Sequence, residues 1–448
     1  MKDLTQGSEA KLIFNFALPM LIGNVFQQLY NTVDSIIVGN TIGKEALAAV
    51  GASFPIIFLL VALIMGVTMG ATILIAQFFG ARQMDEVKKT IDTTYLFVFF
   101  AALGATAIGL ATSGPILRLL KTPAEIFPLA KEYLDIIFAG IIVMFGYNTI
   151  SAVLRGLGDS LTPLYFLIIA TLVNIIFDLV FIKVFHWGVA GAAWATVLAQ
   201  GISFLLGLVY LHKTHELFTF NPRKMTFNRG IFLAGLKIGL PSGIQQTLVA
   251  TGMMALSRIV NSFGTNAVAA YTAAGRLDSF ASMPAMNLSV ALSSFVGQNL
   301  GANKPERVKK GYRATLGMAT LISLAITLTV ILFGPQLVRI FNQDPAVITI
   351  GSEYLVIVGS FYFVFSTMFV TNGVLRGAGD TLIPMFFTVC SLWLIRVPLA
   401  AFLASRMGTN GIWWAIPIAW VVGAILSVSY YRSGRWKRKV VVKPNPAS

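Results

Sequence analysis

The sequence predicts an all-α integral membrane protein of about 12 transmembrane helices in two six-helix bundles. Three observations carry that prediction. The 448 residues are 56% hydrophobic and only 11% charged, where soluble chains carry roughly a quarter charged residues. Apolar runs recur throughout at lengths near the roughly 20 residues that a helix needs to cross a bilayer. Segments in the polar loops between those runs repeat at one fixed offset.

Twelve spans follow in order. The first, 12–38, follows the polar stretch Met1–Lys11, contains Pro19 and polar residues, and lacks a small-residue cleavage pattern. It reads as a permanent span, not a cleaved signal. The second and third, 50–78 and 92–113, are parted by the charged AQFFGARQMDEVKK at 76–89. The fourth and fifth, 126–153 and 160–185, are parted by LRGLGDSLTP at 154–163, and the sixth is 188–211. Residues 231–260, 267–297, 313–333, 346–374, 381–404 and 410–431 supply the other six. Membrane strands would need alternating stretches of about ten residues, and these runs are longer and apolar on most faces. The expected organisation is a bundle over 1–211, a basic linker at 212–230, a second bundle over 231–433 and a basic tail at 434–448.

The net charge of +15 would suggest a polyanion as partner in a soluble protein. Here it follows from the bias of Lys and Arg toward cytoplasmic loops. Placing both termini and the even-numbered loops on one side collects roughly 23 of the basic residues there and about 7 opposite. The expectation is a multi-pass protein of the cell membrane with both termini cytoplasmic, contacting lipid and no nucleic acid. The single cysteine, Cys390, excludes an internal disulfide and a Cys-rich zinc site.

The repeat is the strongest organisational signal. LRGLGDSLTP (154–163) returns as LRGAGDTLIP (375–384), and AQFFGARQMDEVKK (76–89) as GQNLGANKPERVKK (297–310). ALAAV at 46–50 echoes as AVAAY at 267–271, and EYL at 132–134 recurs at 353–355. All four pairs share an offset of 221 residues, as an internal duplication requires. An even number of spans per copy predicts a pseudo-two-fold axis along the membrane normal and a cavity between the copies. That arrangement suits alternating access.

Two six-helix halves with a paired LRG-x-GD resemble the MATE family of multidrug and toxic-compound exporters. Leu18, Pro19 and Asn24, then VDSIIVGN at 33–40, GKEALAAVG at 43–51 and the QNLGA loop at 298–302, strengthen the resemblance. It covers roughly residues 10–435. It implies export of bulky, often cationic organic compounds driven by inward flow of H+ or Na+, with no other cofactor. The resemblance is to the branch with its acidic site in the N-terminal half (DinF-like).

Carboxylates inside spans cost several kcal/mol by most estimates, so they are functional candidates. Asp34 ends a polar stripe of Asn24, Gln27 and Asn31, spaced by three and four residues and therefore on one helical face. Asp178 follows Asn174 by one turn in the fifth span. The resemblance implies that Asp34, Asn174 and Asp178 form one site. Tyr30, Tyr147, Asn148, Thr196 and Gln200 are supporting candidates, with interhelical hydrogen bonding as the alternative account. Burial disfavours the charged form of a carboxyl, so an acid in a dry pocket can bind a proton in one conformation and release it in another. The same three residues could instead give oxygen ligands to Na+.

The second half departs from the first. At the repeat offset Asp34 falls on Ala255, Asn174 on Ile395 and Asp178 on Leu399. Gln245, Gln246, Phe365 and Ser366 stand where some relatives carry acids. The expectation is that the ionisable chemistry sits in one half, with Arg276 and Arg396 snorkelling or pairing, Arg276 with the nearby Asp278. The two LRG-x-GD segments read as structural, with glycines for a tight cytoplasmic turn and with Arg155 and Asp159, and Arg376 and Asp380, able to pair across it.

Other motifs fail. GNTIGK at 39–44 is one residue short of a P-loop, and Glu45 stands where magnesium would need Ser or Thr. His212 and His215 have no Cys or acidic cluster beside them. The reading is a monomeric secondary-active antiporter of amphipathic or cationic drugs, and not an enzyme. The rival is a lipid flippase of related architecture, which would want a strongly cationic cavity and extra spans. An intramembrane enzyme would need a convergent nucleophile, base and acid, and none stands out.

Overall fold

The computed structural model describes residues 2–214 and 225–442, apart from the Leu63 side chain. The expected linker therefore falls partly outside the described residues, with His215, and so does the end of the expected tail. Among the described residues all regular structure is helical. In the bilayer every backbone polar group must be satisfied internally, and a helix does so within one segment.

The helices are α1 (Glu9–Thr41), α2 (Lys44–Gly80), α3 (Met84–Leu119), α4 (Phe127–Ala139), α5 (Ile141–Gly156), α6 (Leu161–Asp178) and α7 (Gly188–Thr214). After them come α8 (Arg229–Asn261), α9 (Thr265–Gly301), α10 (Pro305–Arg339), α11 (Pro345–Gly359) and α12 (Tyr362–Gly377). The last three are α13 (Leu382–Val389), α14 (Val397–Met407) and α15 (Thr409–Ser433). Among the described residues nine helical runs are long and apolar enough to cross a membrane, and eleven when each bent pair counts as one span. α8 is equally long, at 33 residues. Lys237, Gln245, Gln246 and Arg258 interrupt its apolar run.

The fourth and tenth spans are not straight. α4 meets α5 at 53° and α11 meets α12 at 49°. The first bend sits at Gly140, where an added Cβ would lie 2.3 Å from the Val197 side chain. The backbone there comes too close to α7 for any larger residue, which periodicity alone does not reveal.

The duplication is visible in the element boundaries. α2 and α9 start and stop 221 residues apart, as do α5 and α12. Their terminations match as well. The paired LRG-x-GD segments close α5 and α12 with a left-handed glycine, Gly158 or Gly379. Asp159 N–H then donates to Leu154 O (2.8 Å) and Asp380 N–H to Leu375 O (3.0 Å), the six-to-one bond of a Schellman cap.

The arginine–aspartate pairs that these turns could hold do not form. Asp159 accepts from the Leu161 and Thr162 N–H groups, and Asp380 accepts from the Tyr430 hydroxyl (2.6 Å). Arg376 donates to Ser289 Oγ (2.8 Å). Both acids satisfy backbone or hydroxyl donors that are closer than the arginines.

The chain separates into two compact units. The first comprises Met1–Lys2, Pro19–Ile75 and Gln83–Leu236. The second comprises Asp3–Leu18, Ala76–Arg82 and Lys237–Ser448. The start of α1 and the end of α2 thus group with the second unit, although the sequence placed them in the first bundle. Hydrogen bonds explain the grouping. Leu4 N–H donates to Gln298 Oε1 (2.9 Å), Asn299 Nδ2 donates to Leu4 O (3.1 Å), and Arg307 reaches Glu9 at 3.1 Å. Gln77 Nε2 donates to Gly377 O (3.0 Å) and its Oε1 accepts from Val441 N–H (3.0 Å).

Candidate functional site

The candidate residues all lie in the first unit, on α1, α5, α6 and α7. A cluster of Val38, Ala46, Ile137, Ile182, Val189, Ala192, Ala193 and Val197 packs these helices together and forms a dry frame around them. α6 widens into a π-helical turn, Leu179–Val184, directly after Asp178. Such turns occur mostly as single-turn bulges, often at functional sites.

Asp34 and Asp178 face each other, carboxyl to carboxyl, within hydrogen-bonding reach. Ionised carboxylates are acceptors only, so this contact is favourable when one proton lies between them. Asp178 is held from its other side. Asn174 is buried, with its Nδ2 donating to Asp178 Oδ2 (2.8 Å) and its Oδ1 accepting from the Thr196 N–H (3.2 Å). The opposite amide orientation would set two oxygens against each other. Tyr30 hydroxyl shares a hydrogen bond with Thr196 Oγ1 (3.2 Å) and lies close enough to feel the charge of both acids. Asp34 Oδ1 and Asp178 Oδ1 are buried without hydrogen-bond partners.

The structure thus brings Tyr30, Asp34, Asn174, Asp178 and Thr196 together. It leaves the others apart. Gln27 Nε2 donates to Asn31 Oδ1 (3.4 Å) along α1, and Asn24 is exposed on the same helix. Asn148 Nδ2 donates to Met144 O (2.8 Å) of its own helix, Tyr147 lies near Arg155, and Gln200 has a buried Oε1 without a partner.

One residue of the cluster escapes the sequence reading. Tyr133 of α4 is buried among Val38, Ile182 and Val197 and lies near both Asp34 and Asp178. The available signal was the repeated EYL, which gives Tyr133 its counterpart, Tyr354.

In the second unit one of the pairings offered by the sequence does not form. Arg276 is exposed and makes no ion pair with Asp278 among the described residues. Asp278 instead faces the interior of its unit, beside Tyr362 and within range of the Arg396 charge. Ionisable side chains therefore occupy both units. The offset comparison missed them because they stand on different helical positions from Asp34 and Asp178.

The MatE family model matches twice, over residues 19–180 and 241–402. The protein named Probable multidrug resistance protein YpnP, from Bacillus subtilis, is 37% identical over 436 residues, covering 97% of each chain. Probable multidrug resistance protein YoeA of the same organism is 31% identical, covering 96% of this chain and 94% of YoeA. A crystal structure of a MATE in complex with MaL6 superposes with a TM-score of 0.90 at 26% identity, covering 98% of each chain. Together with the helical architecture and the paired repeat, these matches place the chain in the MATE family of multidrug efflux transporters, multi-pass membrane proteins and not enzymes.

Proposed function

We propose that this transporter exports bulky organic compounds, many of them cationic, in exchange for protons by alternating access. The observation that carries the reading is the contact between Asp34 and Asp178. Two acids in hydrogen-bond contact take up and give back a proton as a unit. A cation arriving near them favours their ionised forms and expels the shared proton, and reprotonation favours release of the cation. The linkage is reciprocal and needs only a few kcal/mol of differential affinity. In this reading Asp34, Asp178 and Asn174 form the coupling centre, with Tyr30, Tyr133 and Thr196 supporting it. The branch is the one with its acids in the N-terminal half, the protein works as a monomer, and both termini lie in the cytoplasm.

A second reading, Na+ coupling, has one observation in its favour: Oδ1 of Asp34 and Oδ1 of Asp178 are buried and unpartnered. Hard cations take oxygen ligands of this kind.

Proton counting tests the proposal. Purified protein in weakly buffered detergent is mixed with a fluorescent organic cation, and released protons are read with a pH indicator. The expected result is proton release on binding in the wild type and none in Asp178→Asn. Release that is equal in both, or that appears only as displacement by sodium, would remove the proton reading.

A further inference from the structure

The second unit holds a buried ionisable cluster that the coupling centre does not use. Asp278 lies on α9, and the groups facing it come from its own helix and from distant ones. Tyr271 is on its own helix, Tyr354 on α11 and Tyr362 on α12. Arg396 is the last residue of a π-helical turn, Cys390–Arg396, and its charge reaches Asp278, Tyr271 and Tyr354. Trp413 of α15 closes the cluster. Its ring stacks on Tyr271 at 5.6 Å and meets Tyr354 edge-on at 5.0 Å.

The Asp278 carboxyl lies within reach of the Tyr362 hydroxyl, while three polar atoms of this cluster, Asp278 Oδ1, Arg396 Nε and Trp413 Nε1, are buried without a hydrogen-bond partner. Nearly all buried polar groups in folded proteins are satisfied, so a concentration of exceptions needs a reason. Arg396 is only 8% exposed, yet no ion pair closes between it and Asp278. A guanidinium this buried, left unpaired beside a carboxyl, is costly in a static structure. They make sense as one position of a group that moves between two partners.

The nature of the ligand follows by elimination. Tyr354 and Tyr362 are 2% exposed and Trp413 is 0% exposed, which leaves no room for an organic molecule. The Arg396 guanidinium beside the carboxyl repels a metal cation. A proton meets neither obstacle.

We propose that Asp278 is a second proton-binding carboxyl, seated in the second unit, with Arg396 as its charge partner. When ionised, its carboxylate turns to Arg396. When it takes a proton from the aqueous phase, the acid turns to the Tyr362 hydroxyl, and the proton returns to water on the reverse swing. The widened turn that ends at Arg396 gives the guanidinium the local freedom for this exchange. This goes beyond the coupling reading above, and it stands or falls at equilibrium, without transport.

The test is an infrared pH titration of the full-length protein in lipid vesicles, read at the carbonyl stretch of protonated carboxylic acids. A band that disappears in Asp278→Asn and persists in the Asp34→Asn/Asp178→Asn variant is expected. Arg396→Gln should move the midpoint of that band to higher pH by roughly one unit or more, the usual scale for losing a nearby opposite charge. Asp278→Glu, which keeps the carboxyl, should retain a titrating band and so controls for misfolding in Asp278→Asn. The proposal is overturned if the whole signal vanishes with Asp34 and Asp178, or if the midpoint ignores Arg396→Gln. Failure of the first-unit reading would leave the Asp278 band in place, so the two outcomes are distinguishable.

Discussion

Tyr133 and Tyr354 occupy the same register of the repeat, and each faces the ionisable cluster of its own unit. The acids around them come from different positions: α1 and α6 in the first unit, α9 in the second. The duplicated scaffold has kept an interior tyrosine while the charges beside it were placed independently.

Tyr133→Phe therefore removes a hydroxyl from the coupling centre while its ring still fills the space among Val38, Ile182 and Val197. Initial rates of proton-driven dye efflux should fall, because the lost hydroxyl dipole lies near both acids. Thermal stability should change little. An unaltered rate would take Tyr133 out of the site.

Asn174 and Thr196 should differ in weight. Asn174→Leu strips a donor from Asp178 and an acceptor from the Thr196 N–H. Unsatisfied buried groups of this kind cost about 1–3 kcal/mol, so transport should drop tenfold or more on the order of that penalty. Thr196→Val keeps its backbone N–H and loses only the contact to Tyr30. Its rate should stay within about threefold of wild type. Equal effects would mean that Asn174 does not hold Asp178.

The ends of α2 and α9 cross within the second unit, at Gly80 and Gly301. A Cβ on Gly301 would lie 1.9 Å from Gln77 O, and one on Gly80 would lie 1.9 Å from Gln298 O. Replacing a helical glycine by alanine ordinarily stabilises by roughly 0.5–1 kcal/mol. At Gly301 the backbone contact reverses the sign, and a loss of about 1–3 kcal/mol is expected. Gly104→Ala in α3, with nothing within 4 Å of its Cβ, should be neutral or slightly stabilising. Thermal unfolding of the two variants side by side checks both signs.

Acid should loosen the N-terminal segment. Burial pushes the Asp3 carboxyl up, but the Thr5 hydroxyl (2.6 Å) and N–H (2.8 Å), with the Arg82 and Lys304 charges, outweigh it and hold the group below its ordinary value. A depressed folded value contributes stability above the unfolded value of about 3.9 and loses it as pH falls through the folded one. Hydrogen exchange at the Leu4 N–H, corrected for intrinsic rate, should accelerate on acidification below about pH 4. Asp3→Asn should exchange fast already at neutral pH. A flat pH response in the wild type would contradict the account.

Much of this architecture was legible because bilayer physics is strict. Apolar runs longer than a strand admit one structure, and the 221-residue offset returned in the helix ends and the left-handed turns. The bends at Gly140 and after Gly359 were not legible, because they arise from the close approach of another helix and not from a local breaker. In the site, the spacing of Asn174 and Asp178 and the cost of acids in spans pointed to helices whose acids the structure brings together. The stripe rule names more residues than the structure gathers around the two acids. Asn24, Gln27 and Asn31 share a face with Asp34, yet the helix continues past the cluster and leaves them outside it. Tyr133 and Asp278 were missed for a common reason: partners from distant spans give them their surroundings, and no local spacing encodes that.

The central claim, proton-driven export through Asp34 and Asp178, is tested most directly in vesicles of known orientation loaded with a fluorescent organic cation. A pH gradient and a sodium gradient are imposed separately, with the wild type beside Asp34→Asn and Asp178→Asn. The account predicts transport that follows the pH gradient, ignores sodium and is abolished in both variants. Transport that follows sodium alone, or that survives in both variants, would contradict it.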